Sequence, residues 1–187
     1  GCKVYDANTG EELILSNNHI YALNWGTKRI GKKGDPLLQP ASYDRGTYPD
    51  DQIGTLERWV DVSTDKNNLI DAAVGKPTVP VRDDVLDIGT PGPVYSLKPE
   101  DVGRTVVKSG RTTGTTTGEI DSISATVDVG GWGVCRFTDQ VVIKAYPFCR
   151  PGDSGSYCSL DEKGIPTVGL VFAGFRNGWG VVCKATH

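Results

Sequence analysis

The sequence has no long hydrophobic run and no block of basic residues. Its longest apolar stretch, VGLVFAGF at residues 168–175, is far too short to cross a bilayer, so we predict no membrane partner. The formal net charge is −3 and the lysines and arginines are dispersed, which leaves no basic patch of the kind that nucleic acids require. With 37% hydrophobic and 23% charged residues, the composition is that of a globular protein.

Metal-ligating residues are scarce as well. The chain has two histidines, His19 and His187, far apart in the sequence, and its five cysteines form no CxxC pair. This arrangement of histidines and cysteines does not match the ligand spacing of a zinc site, so we predict no metal and no other cofactor. The odd number of cysteines leaves at least one thiol free if the chain is alone. For the others, burial as small apolar side chains and disulfide bonding both stay open.

Methionine is absent, and the N-terminal GCKVYDANTG lacks the basic and apolar regions of a signal peptide. These absences suggest a processed or excised product whose export signal could have been lost. A monomer is the default expectation for its oligomeric state.

Strand-forming segments dominate what is present. CKVYDANTGEELILS predicts two strands about an Asn-Thr-Gly turn, and QVVIKAY and TVGLVFAGF are further apolar strands. No segment of ten or more residues has helical periodicity. A cluster of Pro and Gly near residues 83–103 predicts a linker between two halves, each able to form a small antiparallel barrel. We therefore predict an all-β protein with an N-terminal barrel at 1–90 and a C-terminal barrel at 91–187.

A candidate nucleophile lies in PFCRPGDSGSYC at residues 147–158. Ser154 stands between small and turn-forming neighbours, as a catalytic serine requires when a substrate carbonyl must approach the backbone. Such a serine needs a base, and His19 is the candidate because His187 is the last residue of the chain. The imidazole in turn needs a shielded carboxylate, and Asp71 in the apolar NNLIDAAVG fits best, with Asp65 as the alternative.

The order His, Asp, Ser excludes the α/β-hydrolase and subtilisin arrangements and leaves the chymotrypsin order. SNNHI, NLIDAAV and PGDSGS together resemble the trypsin-like (chymotrypsin-fold) serine peptidases, and in particular the bacterial group with an LSNNH-type histidine motif. KSGRTTGTTTGEI at 108–120 resembles the start of the second barrel in bacterial members. The resemblance implies a double barrel of six-stranded type with the active site in the cleft between its halves, and slightly favours a secreted protein.

The resemblance also implies roles for further residues. The N–H groups of Gly152 and Ser154 would form the oxyanion hole. Phe148, six positions before Ser154, would form the base of the primary specificity pocket, with Phe172, Ala173 and Gly174 as the wall that pairs with substrate. An aromatic floor without an acid predicts a preference for small or apolar side chains at the residue before the scissile bond.

Asp153 poses a separate question. In animal members of the family this aspartate holds a new amino terminus after activation, and the chain has no such terminus. We therefore expect Asp153 to find another partner, Arg150 or Arg111. The Thr- and Gly-rich run at 111–118 predicts a structural hairpin, and we assign it no chemical role.

Three functions remain open from the sequence. The first is an active serine endopeptidase that hydrolyses peptide or protein substrates. The second is a catalytically silent member of the fold that binds peptide by strand addition. The third is a self-processing peptidase domain excised from a larger precursor.

Overall fold

The computed structural model describes residues 1–187 and is almost entirely β-structure, which confirms the predicted fold class. The first half contributes five strands: β1 (Cys2–Tyr5), β2 (Glu12–Ser16), β3 (Pro36–Leu38), β4 (Gln52–Trp59) and β5 (Ala73–Pro77). The second half contributes six: β6 (Thr105–Gly110), β7 (Gly114–Val129), β8 (Cys135–Lys144), β9 (Tyr157–Leu160), β10 (Thr167–Gly174) and β11 (Gly180–Lys184).

The first half is an antiparallel sheet in the order β1-β2-β5-β4-β3. Its first two strands pair as the sequence predicts, with Cys2 opposite Leu15. The turn between them forms because the Asp6 carboxylate accepts the N–H groups of Asn8 and Thr9 at 2.9 and 3.0 Å. The sheet has five strands and is open, whereas the sequence analysis predicted a closed barrel of six-stranded type. The short β3 ends the sheet as an edge strand.

The second half is a closed antiparallel barrel in the order β10-β11-β8-β7-β6-β9. An eleven-residue core fills it, including Val106, Ile143, Phe148 and Val182, all fully buried. Closure gives every strand two partners, so the strands form a rigid support for the loops that they carry. The Ala173–Gly174 end of β10 pairs with β11 but extends beyond the residues that pair with β9, so one side of it stays open.

A second apolar cluster joins the two halves. Trp25 of the first half contacts Phe137 of β8 at 5.4 Å between ring centroids, and Phe137 contacts Phe172 of β10 at 4.6 Å. Hydrogen bonds cross at the same place, because Asn68 N–H donates to the Arg136 carbonyl at 2.8 Å. The halves therefore share a packed interface, which places residues from both of them side by side.

Helices are minor, as expected. The α-helix α1 spans Asn18–Tyr21, and two single-turn 3₁₀ helices span Ser42–Asp44 and Pro99–Asp101. No helix is both long and apolar enough to cross a membrane. All five cysteines are free thiols, four of them buried, in agreement with their interpretation as small apolar side chains.

Candidate active site

His19 and Asp71 are in direct contact. His19 lies on α1, the single helical turn after β2, and its Nδ1 forms a short hydrogen bond with Oδ2 of Asp71. The main-chain N–H of His19 donates to the other carboxylate oxygen, Oδ1, at 3.1 Å. The carboxylate is fully enclosed, and the imidazole is 19% exposed. Both oxygens of Asp71 are thus occupied, and His19 presents Nε2 as its remaining ring nitrogen.

Two buried asparagines fix this pair, and the sequence analysis assigned them no role. The Asn17 side chain donates to the Asp71 carbonyl at 2.8 Å, which ties the two segments together. The Asn18 side chain donates to the Asn24 carbonyl at 2.7 Å and accepts the Asn24 N–H at 3.1 Å. The signal for this role was available, because two adjacent amides after an apolar strand must find partners when they are buried.

Ser154 lies in the turn between β8 and β9 and lines a cavity of about 600 Å³. The next residue, Gly155, has φ +83° and touches the first half, since a Cβ there would lie 2.2 Å from Ser16 Oγ and 3.6 Å from the N of Asn17. The Ser154 turn is therefore seated on the segment that leads into His19. No hydrogen bond joins Ser154 Oγ to His19 Nε2.

The main chain of this turn offers free donors. Neither the N–H of Gly152 nor that of Ser154 donates to another group of the protein, whereas the intervening Asp153 N–H donates to the Arg150 carbonyl at 3.0 Å. Gly152 has φ +100°, and a Cβ there would lie 2.3 Å from Thr112 Oγ1. Only glycine fits this position without strain.

Asp153 is held by a lysine, and neither predicted arginine side chain reaches it. It is 1% exposed, and the Nζ of Lys108 on β6 lies 3.7 Å from its Oδ2, with both side chains fully enclosed. Thr112 and Thr113 donate main-chain N–H groups at 2.8 and 3.1 Å, and Thr113 Oγ1 donates at 2.8 Å. Arg150 contributes only its main-chain N–H, at 2.9 Å.

The other predicted partner, Arg111, has a different role. Its guanidinium forms a two-point ion pair with Asp44 in the first half, with Nε 2.8 Å from Oδ2. The neighbouring Thr112 Oγ1 donates to the Pro151 carbonyl at 2.8 Å. The hairpin between β6 and β7 therefore holds the Ser154 turn and connects it to the first half. The run at 111–118 is thus part of a structural hairpin, as predicted, and its structural task is to support the Ser154 turn.

The charge balance at Asp153 explains how a carboxylate is kept ionised there. Burial acts to raise its pKa, but the N–H groups of Arg150, Thr112 and Thr113 and the Thr113 hydroxyl outweigh burial and hold the pKa below its usual value. Burial lowers the pKa of Lys108, and the Asp153 charge opposes that shift. The pair is thus a buried carboxylate with four hydrogen-bond donors and one neighbouring cation.

Only some residues of the predicted specificity pocket line the cavity beside Ser154. Ala173 and Gly174 line it, and their pairing with substrate stays a prediction. Phe148 does not line it. Its ring is fully buried in the barrel core, packed on Gly180, where a Cβ would lie 2.4 Å from Cδ1 of the ring. Phe172 is 3% exposed and also faces the core. The aromatic floor that predicted small or apolar substrates is therefore absent.

Cys149 lines the cavity where Phe148 was expected. Burial raises the pKa of its thiol to about 11, so the thiol is neutral near pH 7 and is a weak nucleophile beside Ser154. His187 lies elsewhere, 3.3 Å from Asp139. No cluster of three or more His, Cys, Asp or Glu side chains is arranged to hold a metal ion.

Solved proteases share this fold. A Nocardiopsis protease matches 98% of this chain and 84% of its own, with a TM-score of 0.65 and 20% identity. Thermobifida fusca protease A matches 98% of this chain and 82% of its own, with a TM-score of 0.62 and 19% identity. A glutamic-acid-specific serine protease that uses a histidine triad in substrate binding matches 98% and 84%, with a TM-score of 0.59 and 17% identity.

Neither a protein-family model nor a curated protein matches the sequence. The structural neighbours are chymotrypsin-fold serine proteases, and this chain has their fold. At identities of 20% or less, the likeness establishes the fold alone. The activity depends on what the site residues can do.

Proposed function

We propose that this protein is a serine endopeptidase in which Ser154 is the nucleophile, His19 the general base and acid, and Asp71 the group that orients His19. The observation that carries the proposal is the bond between His19 and the enclosed Asp71, with the Ser154 turn seated on the same segment. A buried carboxylate bonded to Nδ1 fixes the tautomer whose Nε2 accepts a proton. The substrate is a peptide or protein.

The chemistry follows from these positions. Ser154 Oγ attacks the carbonyl carbon of the scissile bond while its proton passes to His19 Nε2. His19 then gives this proton to the leaving nitrogen, and the C–N bond breaks to leave an ester on Ser154. Water attacks the ester with His19 again accepting the proton, and hydrolysis releases the acid and restores Ser154.

The free N–H groups of Gly152 and Ser154 support a role in binding the developing oxyanion. Each such donor contributes on the order of 3 kcal/mol to transition-state stabilisation. The bonds from the β6–β7 hairpin to Asp153 hold the intervening peptide units in place. Ala173 and Gly174 supply the β10 edge along which the substrate chain would lie.

The finer family assignment also belongs to this proposal. The bonds made by Asn17 and Asn18 give both asparagines of the LSNNH motif a structural task, which supports placement in the bacterial trypsin-like group. The glutamate-specific neighbour uses a histidine triad in substrate binding. No histidine lines the cavity beside Ser154, so this chain would have to bind its substrate by other chemistry.

A silent peptide-binding member of the fold is the second candidate. The observation in its favour is the missing hydrogen bond between Ser154 and His19. A fluorophosphonate probe, which reacts with activated serines, separates the two candidates. We expect labelling of the native chain and none of Ser154→Ala, whereas an unlabelled native chain would favour the binding protein.

The role of Asp71 can be tested in the same assay. Asp71→Asn should slow labelling by about a thousandfold or more, because the amide favours the wrong tautomer of His19. Asp65→Asn is the matched control, since Asp65 was the alternative acid and bonds only with neighbours in its own exposed loop. Equal effects of the two substitutions would remove Asp71 from the mechanism.

A further inference from the structure

The cavity beside Ser154 is lined by two segments of the chain, and each segment carries one arginine. Arg150 belongs to the segment that leads into the Ser154 turn, and Arg176 belongs to the turn between β10 and β11. Both residues are exposed, and both line the cavity. No aspartate or glutamate lines it, so its charged lining is entirely positive.

Neither guanidinium has a carboxylate partner. Most arginines of this chain do, and the paired ones are Arg58, Arg82, Arg104, Arg111 and Arg136. Asp153 is close in sequence to Arg150, but its carboxylate is enclosed and already bonded to the β6–β7 hairpin and Lys108. The positive charge of the cavity is therefore not neutralised from within the protein.

We infer that this cavity binds a negatively charged substrate side chain, so that the peptidase cleaves after glutamate or aspartate. The inference rests on the proposed function and replaces the preference for small or apolar residues. A guanidinium presents paired N–H donors that match a carboxylate in shape and charge. Arg150 and Arg176 both line the cavity beside Ser154, so either guanidinium is available to a carboxylate that enters there.

The size of the cavity and the exposure of the arginines refine the expectation. About 600 Å³ is ample for a glutamate side chain, and the neutral Cys149 thiol adds no opposing charge. Because both guanidiniums are in contact with solvent, their attraction for a carboxylate is screened by salt. The preference for acidic side chains should therefore weaken at high ionic strength, whereas a preference based on shape would not.

The test uses fluorogenic peptides that differ only in the residue before the scissile bond: Glu, Asp, Gln, Leu or Lys. Glu and Gln are nearly equal in shape, so their ratio of kcat/KM isolates the charge. We expect a Glu-to-Gln ratio of about ten or more at about 0.05 M salt, falling severalfold at about 0.5 M. Arg150→Gln and Arg176→Gln should each lower the ratio by about threefold to tenfold. Lys163→Gln is the control, since it removes an exposed positive charge outside the cavity.

The outcomes separate the specificity from the activity. The inference is wrong if the enzyme reacts with the fluorophosphonate but cleaves after Gln or Leu as well as after Glu. It is also wrong if neither arginine substitution changes the Glu-to-Gln ratio of kcat/KM. Either result leaves the proposed peptidase function intact. If neither the probe nor any peptide reacts, the proposed function fails. Binding of the Glu and Gln peptides to Ser154→Ala, followed by fluorescence anisotropy, then decides the charge preference of the cavity. Equal binding would refute it.

Discussion

Replacing Lys108 with methionine would test how the nucleophile turn is held. Lys108 is fully enclosed, and its Nζ lies 3.7 Å from the Asp153 carboxylate, donates to the Gly114 carbonyl at 2.9 Å and bonds Thr113 Oγ1. Methionine keeps an unbranched apolar stem of similar length and removes only the charge and its donors. The variant therefore leaves an enclosed carboxylate without its cation.

The loss of stability expected for Lys108→Met follows from the contacts that Asp153 keeps. Removing one partner of a buried ion pair costs about 3–5 kcal/mol of unfolding free energy. Asp153 keeps four donors, which places the expected loss for Lys108→Met near the lower end, at about 3 kcal/mol. Lys144→Met is the matched control, because Lys144 is an exposed residue of β8 and forms no ion pair. Lys144→Met should change the free energy of unfolding by no more than about 0.5 kcal/mol.

A double-mutant cycle identifies the cause. If Lys108 acts by compensating Asp153, the combined Lys108→Met and Asp153→Asn variant should lose less stability than the two single losses added together, by about 1–3 kcal/mol. Urea unfolding followed by the fluorescence of the four tryptophans measures each variant. Strictly additive losses would show that the lysine stabilises the barrel by other means.

Acid titration gives an independent check with a defined sign. The pKa of Asp153 is lowered in the folded protein, so its ionised form contributes stability above the ordinary carboxyl pKa of about 4. That contribution is lost as the pH falls through the lowered folded value. Asp153→Asn should therefore flatten part of the stability decline below about pH 4. An unchanged slope would contradict the assignment.

Two further substitutions test the support of the turn. Arg111→Gln should change the free energy of unfolding little, because its ion pair with Asp44 is half exposed, yet it should slow fluorophosphonate labelling. Arg136→Gln, which breaks a comparably exposed ion pair, should leave labelling unchanged. Equal slowing would rule out a local effect. Gly152→Ala should cost about 1–3 kcal/mol and abolish labelling, because its Cβ would lie 2.3 Å from Thr112 Oγ1 in a residue at φ +100°. Gly130→Ala, with open space around the added Cβ, should change neither the stability nor the labelling. Labelling of Gly152→Ala would disprove the steric argument.

The sequence predicted the His19–Asp71 contact for a reason that survives in the structure. A single aspartate within an apolar run must be paired if it is buried, and the chain offers one well-placed histidine. The paired β1 and β2 strands were predictable on similar local grounds, since the Asn-Thr-Gly sequence between them is typical of a turn. The β1–β2 turn is decided by residues within one short segment. The His19–Asp71 contact could be predicted because the chain has only two histidines.

The partner of Asp153 and the lining of the cavity could not be read in this way. Lys108 lies in VVKSG of β6, and lysine is ordinarily exposed, so the sequence gives no sign that this one faces a closed interior. Its burial depends on Asp153, which comes from a turn between distant strands. Counting back from Ser154 placed Phe148 at the pocket base, but a count along the chain does not give the direction of a side chain. Gly180 on β11 leaves the space that draws the ring into the core.

The β6–β7 hairpin makes the position of Ser154 depend on both halves of the molecule. Its tip binds Asp153 through Thr112 and Thr113, while Arg111 at the start of the tip is paired with Asp44 of the first half. Ser16 and Asn17, which lead into His19, lie against Gly155 of the same turn. The turn is thus fixed on two sides by the half that supplies the base. A shift of one half against the other would have to break the Arg111–Asp44 ion pair and also move packed surfaces past each other. The distance between His19 and Ser154 therefore depends on interactions that neither half makes alone.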